Sequence, residues 1–246
     1  AQVKKKPGKN HGVRHALTGE QQRAFMNYTA NNPVFCHWTP LFTVLLGTGC
    51  RIGEIIGLRW EDIDYEKRMI SINHSVTYYP RRTDTYKCEF QVSLPKTEAG
   101  IRNVPMMEEV YKAFKEEAAR QKEDGCYNTM EVDGMSGFVF ANRFGGLHNP
   151  QAINRTIRRI LENHNAEEVL NAKKEERPPI IIPHFSCHHL RHTFCTRFCE
   201  NETNVKIIQA VMGHANIETT LDIYAEVTDM KKTEAIEDLS RNLHIF

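Results

Sequence analysis

Hydrophobic residues recur at helical spacing along most of the chain, and polar residues at the segment ends indicate where the helices begin. In LTGEQQRAFM, Thr18 precedes Gln21 by three residues, which is the spacing of a capping box and predicts a helix from about 19 to 30. Apolar positions that repeat every 3.6 residues predict further helices in six later segments. These segments are 107–123, 150–163, 188–200, 204–213, 217–225 and 229–240.

The segment TPLFTVLLGTG is apolar almost throughout and therefore predicts a short buried helix. We expect Thr39 to cap its N-terminus, Pro40 to occupy the first helical position, and Gly47 and Gly49 to end it. The next motif, RIGEIIGLRWEDID, places its isoleucines on one face of a second short helix.

Between the helical segments the pattern changes to alternation of apolar and polar residues, which is typical of strands. Residues 69–79, 88–95 and 101–106 alternate in this way and predict a three-stranded antiparallel sheet. The apolar run GFVFA at 137–141 predicts one more short strand, and the charged segment 167–179 predicts a solvated loop or frayed helix. Together these elements indicate an α+β fold that is mainly α-helical.

The composition indicates a globular chain with one main core. Of its 246 residues, 40% are hydrophobic and 26% are charged, and no apolar run is long enough to cross a bilayer. Seven scattered cysteines, an odd number, argue against a disulfide framework. We therefore expect a protein of the reducing cytoplasm with no membrane partner.

Positive charge is concentrated at the start of the chain. Residues 1–15 carry five Lys and Arg and no acidic residue, whereas the whole chain has a net charge of only +1. This segment is either a solvated tail or an arm that follows a nucleic-acid backbone through Lys4, Lys5 and Lys6. Its composition resembles an interdomain linker, so we expect the sequence to be a piece of a longer protein.

The stretch CHHLRHTFCTRFC contains six potential metal ligands, and on a helix four of them share one face: His188, His192, Cys195 and Cys199. From first to last these four span about 16 Å, whereas a zinc ion needs every ligand atom within about 2.3 Å. No Cys-x-x-Cys pair elsewhere completes a site. We therefore predict no metal here and expect both cysteines to be buried core residues.

The same stretch contains His188 and Arg191, which are neighbours on a helix surface and suit a phosphate. Farther along, VMGHANIETTLDIYAEV has His214 at a Gly-His helix end and Tyr224 ten residues later. Each feature alone has an ordinary explanation, as a surface pair, a helix cap or a tyrosine on an amphipathic helix. Their order and spacing point instead to a joint role.

Three motifs together resemble the catalytic domain of the tyrosine recombinase, or phage integrase, family. The segment that contains CHHLRHTFCTRFC and VMGHANIETTLDIYAEV resembles the second half of that domain. The first half is resembled by GTGCRIGEIIGLRWEDID, and the hairpin between the two halves is resembled by LPKTEAGIRNVPM. The likeness covers roughly residues 16–230 and is greatest to the integrases of conjugative transposons. It implies the recombinase catalytic-domain fold and an enzyme that integrates and excises a mobile element.

The resemblance also implies a catalytic set. Tyr224 matches the nucleophile, which attacks a DNA phosphate and forms a 3′-phosphotyrosyl bond. Arg51 and Arg191 match the arginines that bind the nonbridging oxygens, and Lys96 matches the lysine that protonates the leaving 5′-oxygen. The other matches are His188 and His214 in the pocket, Glu54 as the support of Arg51, and His192 as a residue that packs against or orients Arg191. Because the phosphotyrosyl bond conserves the phosphodiester energy, the implied reaction needs no metal, ATP or other cofactor.

The chain departs from the family pattern at four positions without losing a catalytic group. Cys187 stands where proline is common, His189 where aspartate is common, and Met212 where leucine precedes Gly-His. Glu226 stands where histidine is often found. We interpret these differences as drift.

The basic link PRRTDTYK is longer than a tight hairpin requires. Its Arg81, Arg82 and Lys87 either extend the hairpin toward DNA or belong to a solvated loop. Lys87 is also an alternative to Lys96 as the hairpin lysine, because the strand register is open at this stage.

We divide the chain into a basic linker at 1–15, a catalytic domain at 16–225 and a tail helix at 226–246. The tail either packs on its own core or, as in the family, docks on a neighbouring protomer. The resemblance implies double-stranded DNA as the partner, four subunits in a synapse, and accessory DNA-bending proteins. The helical domain with which the family clamps DNA is not in this sequence, so we expect weak and unselective DNA binding.

Three other functions remain open at this stage. A type IB topoisomerase uses the same pocket chemistry but does not exchange strands between two duplexes. A non-catalytic DNA-binding regulator would tolerate the loss of Tyr224. A metalloenzyme would lose its activity in EDTA, whereas a recombinase would not.

Overall fold

A computed structural model describes residues 15–80, 87–95 and 100–228. The helices are α1 (Gly19–Asn31), α2 (Thr39–Thr48), α3 (Ile52–Gly57), α4 (Glu108–Asp124), α5 (Pro150–Lys174), α6 (Cys187–Asn201), α7 (Val205–Met212) and α8 (218–228). The strands are β1 (Ile63–Asp64), β2 (Met69–Ile72), β3 (Ser75–Pro80), β4 (Cys88–Ser93) and β5 (Arg102–Pro105). The mainly helical α+β fold is therefore confirmed. No described helix combines the length and the apolar character needed to span a membrane.

The strands of the described residues form two antiparallel sheets. One has three strands in the order β1-β2-β5, and the other pairs β3 with β4. The predicted three-stranded sheet is therefore present, but its membership was wrong, because 69–79 contributes one strand to each sheet. The chain leaves the first sheet at Asn73 and His74, whose side chains hydrogen bond to Asp62 and to the Gly57 carbonyl. These buried polar contacts end β2 before β3 begins.

The signals at the helix ends predicted most of the observed boundaries. Thr18 and Gln21 form the predicted capping box of α1. Thr39 does not cap α2 as predicted; it is the first helical residue, and no side chain caps that end. Gly49 ends α2 in the left-handed conformation with φ 61°, whereas Gly47 lies inside the helix.

Two predicted boundaries in the second half of the chain were wrong. Helix α5 continues to Lys174, because the chain returns along it and Arg177 pairs with Glu168. Residues 137–141 form no strand. They are buried but share only an isolated bridge, between Phe138 and Arg59, with the chain beside them.

Helix α2 is largely buried and contacts both α4 and α6, so it lies at the centre of the main core. A second and smaller cluster joins α6, α7 and α8 and consists of Cys195, Cys199, Ile208, Met212 and Val227. The chain segment between α2 and α3, the start of α6 and the end of α7 meet where these two clusters adjoin. This junction contains the candidate site.

Candidate active site

A cavity of about 610 Å³ opens between the start of α3, the exposed side of α6 and the loop after α7. Five of the residues predicted from the sequence contribute to its wall: Arg51, His188, Arg191, His192 and His214. They come from three separate parts of the chain and meet only through the tertiary fold. The structure thus brings together most of the predicted catalytic set.

Arg51 precedes the first residue of α3, and its main chain is extended at this position. Its guanidinium Nη1 donates to Glu54 Oε1 at 2.9 Å, and its Nη2 donates to the Gly213 carbonyl at 3.0 Å. The backbone N–H of Arg51 also donates to Glu54 Oε2 at 2.8 Å. Because the Arg51 side chain is still 44% exposed, it is oriented by these bonds and remains accessible to an anion.

Arg191 lies one helical turn after the start of α6 and is buried. Its two terminal nitrogens donate to the Gly49 carbonyl at 2.6 Å and the Met212 carbonyl at 2.7 Å. Burial and the nearby charge of Arg51 lower its pKa to about 10, so the group stays protonated at neutral pH. Two anchored guanidinium groups, one buried and one exposed, therefore face the same cavity.

His214 follows Gly213, which ends α7 in the left-handed conformation with φ 62°. Its imidazole is buried, and its Nδ1 lies 2.9 Å from the hydroxyl oxygen of Thr220 in α8. Burial lowers the pKa of His214 to about 4, and the charges of Arg191 and Arg51 act in the same direction. The imidazole is therefore neutral at pH 7 and can accept a proton.

The start of α6 explains two departures from the family pattern. Ser186 and His189 form a capping box in which the imidazole Nδ1 of His189 accepts from the Ser186 backbone N–H at 3.2 Å. This is a bond that a carboxylate could also accept. The N–H of Cys187 donates to Asn154 at 3.0 Å, an interaction that proline cannot make. His188 and His192 both line the cavity from this helix.

Two of the three cysteines of α6 are core residues, as predicted. Cys195 and Cys199 are buried in the small cluster, with Phe194 and Phe198 packed against it. A hydrogen bond to Cys199 and burial raise the pKa of Cys195, which keeps its thiol protonated. Over 15–80, 87–95 and 100–228, no three His, Cys, Asp or Glu side chains converge in a way that could hold a metal ion.

Tyr224 lies in α8 beside the cavity rather than in its wall. Its neighbours Asp222 and Ile223 line the cavity, whereas the Tyr224 ring packs against the small cluster that contains Cys195 and Met212. The predicted nucleophile therefore lies on the helix that contributes Asp222 and Ile223 to the cavity wall.

Several predicted residues lie outside the described part of the chain: Lys4, Lys5, Lys6, Arg81, Arg82, Lys96 and the tail from 229 onward. Lys87 is described and is exposed at the start of β4. Pro80 pairs with Cys88 at this end of the hairpin, whereas Ser75 pairs with Ser93 at the end near α3. Lys87 is therefore at the end of the hairpin away from Arg51.

Two residues of the site were missed by the sequence reasoning. Arg102 in β5 is buried and makes a two-point salt bridge to Glu54, with contacts of 2.8 and 3.1 Å. The alternation of β5 was the available signal, because it places Arg102 on the same inward face as Val104. Thr220 was missed because nothing near it in the sequence indicates that it contacts His214.

The site has more positive than negative charge. Three guanidinium groups, those of Arg51, Arg102 and Arg191, lie around the carboxylate of Glu54, and the exposed carboxylate of Asp222 is part of the cavity wall. Burial opposes ionisation of Glu54, but hydrogen bonds and charge from Arg102 and Arg51 hold its pKa below the ordinary value. Three guanidinium groups against two carboxylates leave one positive charge uncompensated, which favours an anionic ligand.

Comparison with known proteins agrees with this geometry. Residues 15–231 match the phage integrase family. The chain is 35% identical over 212 residues to the transposase from transposon Tn916 of Enterococcus faecalis, and the match covers 86% of this chain and 48% of that protein. It is 30% identical over 208 residues to a XerC-like tyrosine recombinase of Caldanaerobacter subterraneus, with 81% and 48% covered.

The chain spans about half the length of these curated relatives. Among solved structures, it resembles the Tn1549 transposon integrase in complex with transposon right end DNA, with a TM-score of 0.75 and 29% identity. That match covers 95% of this chain and 69% of the integrase chain. By its sequence and its fold, the chain belongs to the phage integrase family of tyrosine recombinases.

Proposed function

We propose that the chain cleaves and rejoins DNA strands through a 3′-phosphotyrosyl intermediate, as the catalytic part of a site-specific recombinase. The observation that carries this proposal is the convergence of Arg51, Arg191 and His214 on one cavity beside the helix of Tyr224. Preorganised guanidinium groups stabilise the charge that develops on the nonbridging oxygens of a phosphodiester in the transition state. The cavity supplies these groups from anchored positions, with Arg191 buried and Arg51 partly exposed.

In this reaction the Tyr224 oxygen attacks phosphorus, and the bond from phosphorus to the 5′-oxygen breaks. The phenolic proton passes to an imidazole of the cavity, and Lys96 supplies a proton to the leaving 5′-oxygen. Attack by the 5′-hydroxyl of another strand then reverses these steps and releases the tyrosine. Every bond that breaks is replaced by one of the same type, so the exchange needs no external energy source.

The low pKa of His214 suits the role of proton acceptor once DNA is bound. In the free protein the charges of Arg191 and Arg51 disfavour a second positive charge on the imidazole. A bound phosphate compensates those charges and raises the proton affinity of the ring. His214 thereby becomes a better base only when a substrate phosphate occupies the cavity.

The substrate that we propose is double-stranded DNA at the ends of a mobile element. The similarity to the Tn1549 integrase in complex with transposon right end DNA supports this choice, as does the similarity to the Tn916 transposase. We place the reaction in the bacterial cytoplasm, where such DNA is found, with the basic residues at 1–15 and 81–87 as further DNA contacts. Accessory DNA-bending proteins belong to the same proposal.

We further propose that the protein acts as a tetramer on DNA, with the tail that follows α8, from residue 229 onward, docked on a neighbouring copy. An apolar recess of about 430 Å³ between α2, α6 and β5 supports this, since Phe194, Phe198 and Val211 line it. Deletion of residues 230–246 should abolish synapsis of two duplexes while leaving cleavage of a single nicked duplex. Normal synapsis by the truncated protein would reject the docking role.

The decisive experiment incubates the full chain with labelled, nicked duplexes that carry transposon-end sequences, in buffer with EDTA. Denaturing gels should show a slow, protease-sensitive DNA adduct with the wild type and none with Tyr224→Phe. Tyr127→Phe is the matched control, because Tyr127 is an exposed tyrosine remote from the cavity. Exchange of labelled strands between two duplexes then distinguishes recombination from relaxation by a type IB topoisomerase. An adduct that persists in Tyr224→Phe, or its absence from every protein, would reject the proposal.

A further inference from the structure

The C-terminal end of α7 receives three arginines that come from distant parts of the chain. Arg102 Nε donates to the Val211 carbonyl at 2.8 Å, Arg191 donates to the Met212 carbonyl at 2.7 Å, and Arg51 donates to the Gly213 carbonyl at 3.0 Å. The carbonyls at the end of a helix lack intrahelical partners and carry partial negative charge, so cations are favourable there. The residue that follows these three carbonyls is His214.

Two of the three arginines line the cavity and are assigned to phosphate binding, whereas Arg102 is not in its wall. The Arg102 side chain is only 6% exposed, against 44% for that of Arg51. Its guanidinium holds both oxygens of Glu54, and the same carboxylate holds Arg51. Arg102 therefore contacts the partner of Arg51 on one side and the helix end that precedes His214 on the other.

On this basis we propose that Arg102 is a positioning residue for the reaction, which fixes Arg51 through Glu54 and His214 through the end of α7. Arg102 Nη1 also donates to the Gly100 carbonyl at 3.4 Å, so the same guanidinium group contacts the main chain four residues after Lys96. One buried side chain thus connects the chain just before β5 to α3 and to α7. The inference rests on the proposed strand-transfer function.

Only arginine satisfies this set of acceptors. The planar group presents five N–H donors in a fixed fork, and here they reach both Glu54 oxygens, Val211 and Gly100. A lysine keeps the positive charge but has one nitrogen, so it cannot bridge Glu54 and the helix end together. The Arg102→Lys variant therefore separates geometry from charge.

The test compares wild type, Arg102→Lys and the control Arg120→Lys. Arg120 makes a comparable two-point bridge to the buried Glu117 in α4, away from the cavity. The first readout is the NMR signal of the His214 ring in the free protein, and the second is the single-turnover rate of adduct formation at saturating DNA. We expect Arg102→Lys to shift the His214 signal and to slow adduct formation about 10- to 100-fold, with unchanged DNA affinity. Arg120→Lys should change neither.

An unshifted His214 signal together with a rate within about twofold of wild type would overturn the positioning role. If the wild type itself forms no adduct, the proposed function fails, and the His214 signal alone then decides the role of Arg102. If Arg102→Lys does not fold, a double variant replaces it, in which Arg102→Met and Glu54→Gln together remove both buried charges. The reference protein for this double variant is Glu54→Gln alone. If the double variant shifts the His214 signal further and forms the adduct more slowly than Glu54→Gln does, the inference is supported. If the two proteins have the same signal and the same rate, the inference is rejected.

Discussion

The imidazole Nδ1 of His214 lies 2.9 Å from the Thr220 hydroxyl oxygen, and both side chains are buried. This contact joins the loop after α7 to α8, the helix that carries Tyr224. Because the His214 ring is neutral at pH 7, the partner of Nδ1 determines which nitrogen carries the proton and which can serve as a base. A threonine that does not itself reach the substrate thus influences both the orientation and the tautomer of a proposed proton acceptor.

Replacement of Thr220 by valine should therefore lower both the stability of the fold and the rate of adduct formation. The change keeps the shape but leaves Nδ1 without its partner, and we expect unfolding free energy to fall by about 1–3 kcal/mol. Adduct formation should slow at least about tenfold, because the ring is no longer held in one tautomer. Thr29→Val is the control, since the Thr29 hydroxyl makes an equally buried bond, to the Phe25 carbonyl in α1. Equal rate losses in the two variants would contradict a role specific to His214.

The low pKa of His214 also predicts how stability depends on pH. Its folded pKa of about 4 lies below the unfolded value of 6.5, so the unfolded chain binds more protons between these values. The contribution to stability is therefore complete above pH 6.5 and is lost as the pH falls toward 4. Urea unfolding at pH 7 and pH 5 should show a loss of about 1–2 kcal/mol from this residue. His148, whose pKa burial also lowers to about 4, adds a loss of the same sign.

The variant His214→Gln isolates the contribution of His214, because glutamine does not titrate. The difference in unfolding free energy between pH 7 and pH 5 should be smaller in this variant than in wild type. Identical pH dependence in the two proteins would show that folding does not lower the pKa of His214. Carboxylates such as Glu168, whose pKa the Arg177 hydrogen bond holds at about 2, affect stability only at lower pH.

Local signals in the sequence predicted the helices well, because caps and apolar periodicity act over a few residues. The capping box at Thr18 and Gln21 and the left-handed Gly49 illustrate this. Residues 69–79 were assigned to one strand because their alternation continues across the break. What divides them is the contact between His74 and Gly57, which lies 17 residues away in the chain. Periodicity alone could not show it.

Motif order predicted the candidate site and its supporting residue Glu54, but it did not predict the buried Arg102. The resemblance placed Arg51, Arg191 and His214 in one pocket, where the structure also has them. Arg102 points inward in β5, a position that an isolated sequence reading assigns to an apolar residue. Its burial is tolerated because Glu54, 48 residues earlier, supplies a carboxylate. Such a long-range pairing is a property of the fold and leaves no local pattern.

The left-handed Gly213 predicts a large penalty for adding a single methyl group. A Cβ at this position would lie 2.8 Å from Arg102 Nη1 and 2.9 Å from Cζ. Gly213→Ala should therefore combine backbone strain with displacement of Arg102, for a loss of about 2–4 kcal/mol in unfolding free energy. Gly125→Ala is the matched control, because Gly125 has φ 66° but nothing within 4 Å of the added Cβ.

The control should lose only the strain energy, about 1–2 kcal/mol. Denaturant unfolding measures the loss in unfolding free energy for each variant. Equal losses would show that Arg102 moves away from the added methyl group without destabilising the fold. Adduct formation gives a second comparison. It should fall in Gly213→Ala, since His214 follows directly, and should stay at the wild-type level in Gly125→Ala.

The β3–β4 hairpin predicts that Lys96, rather than Lys87, is the general acid. Gly53 at the start of α3 lies against the main chain of Val76, so the Ser75–Ser93 end of the hairpin is the one beside Arg51. Lys87 precedes β4 at the opposite end, about 20 Å away along six extended residues. Strand β4 ends at Ser93, at the end near the cavity, and Lys96 comes three residues later in the sequence.

Lys96→Met should slow adduct formation about 100- to 10,000-fold at saturating DNA, because the 5′-oxygen would then leave without a proton donor. Lys87→Met is the control and should cleave at the wild-type rate. If Lys87 contacts a phosphate, its loss should weaken DNA binding and reduce the slope of log affinity against log salt by about 0.9. If Lys87→Met forms the adduct slowly and Lys96→Met forms it at the wild-type rate, Lys87 rather than Lys96 is the general acid. That result would also mean that DNA binding brings the far end of the hairpin to the cavity.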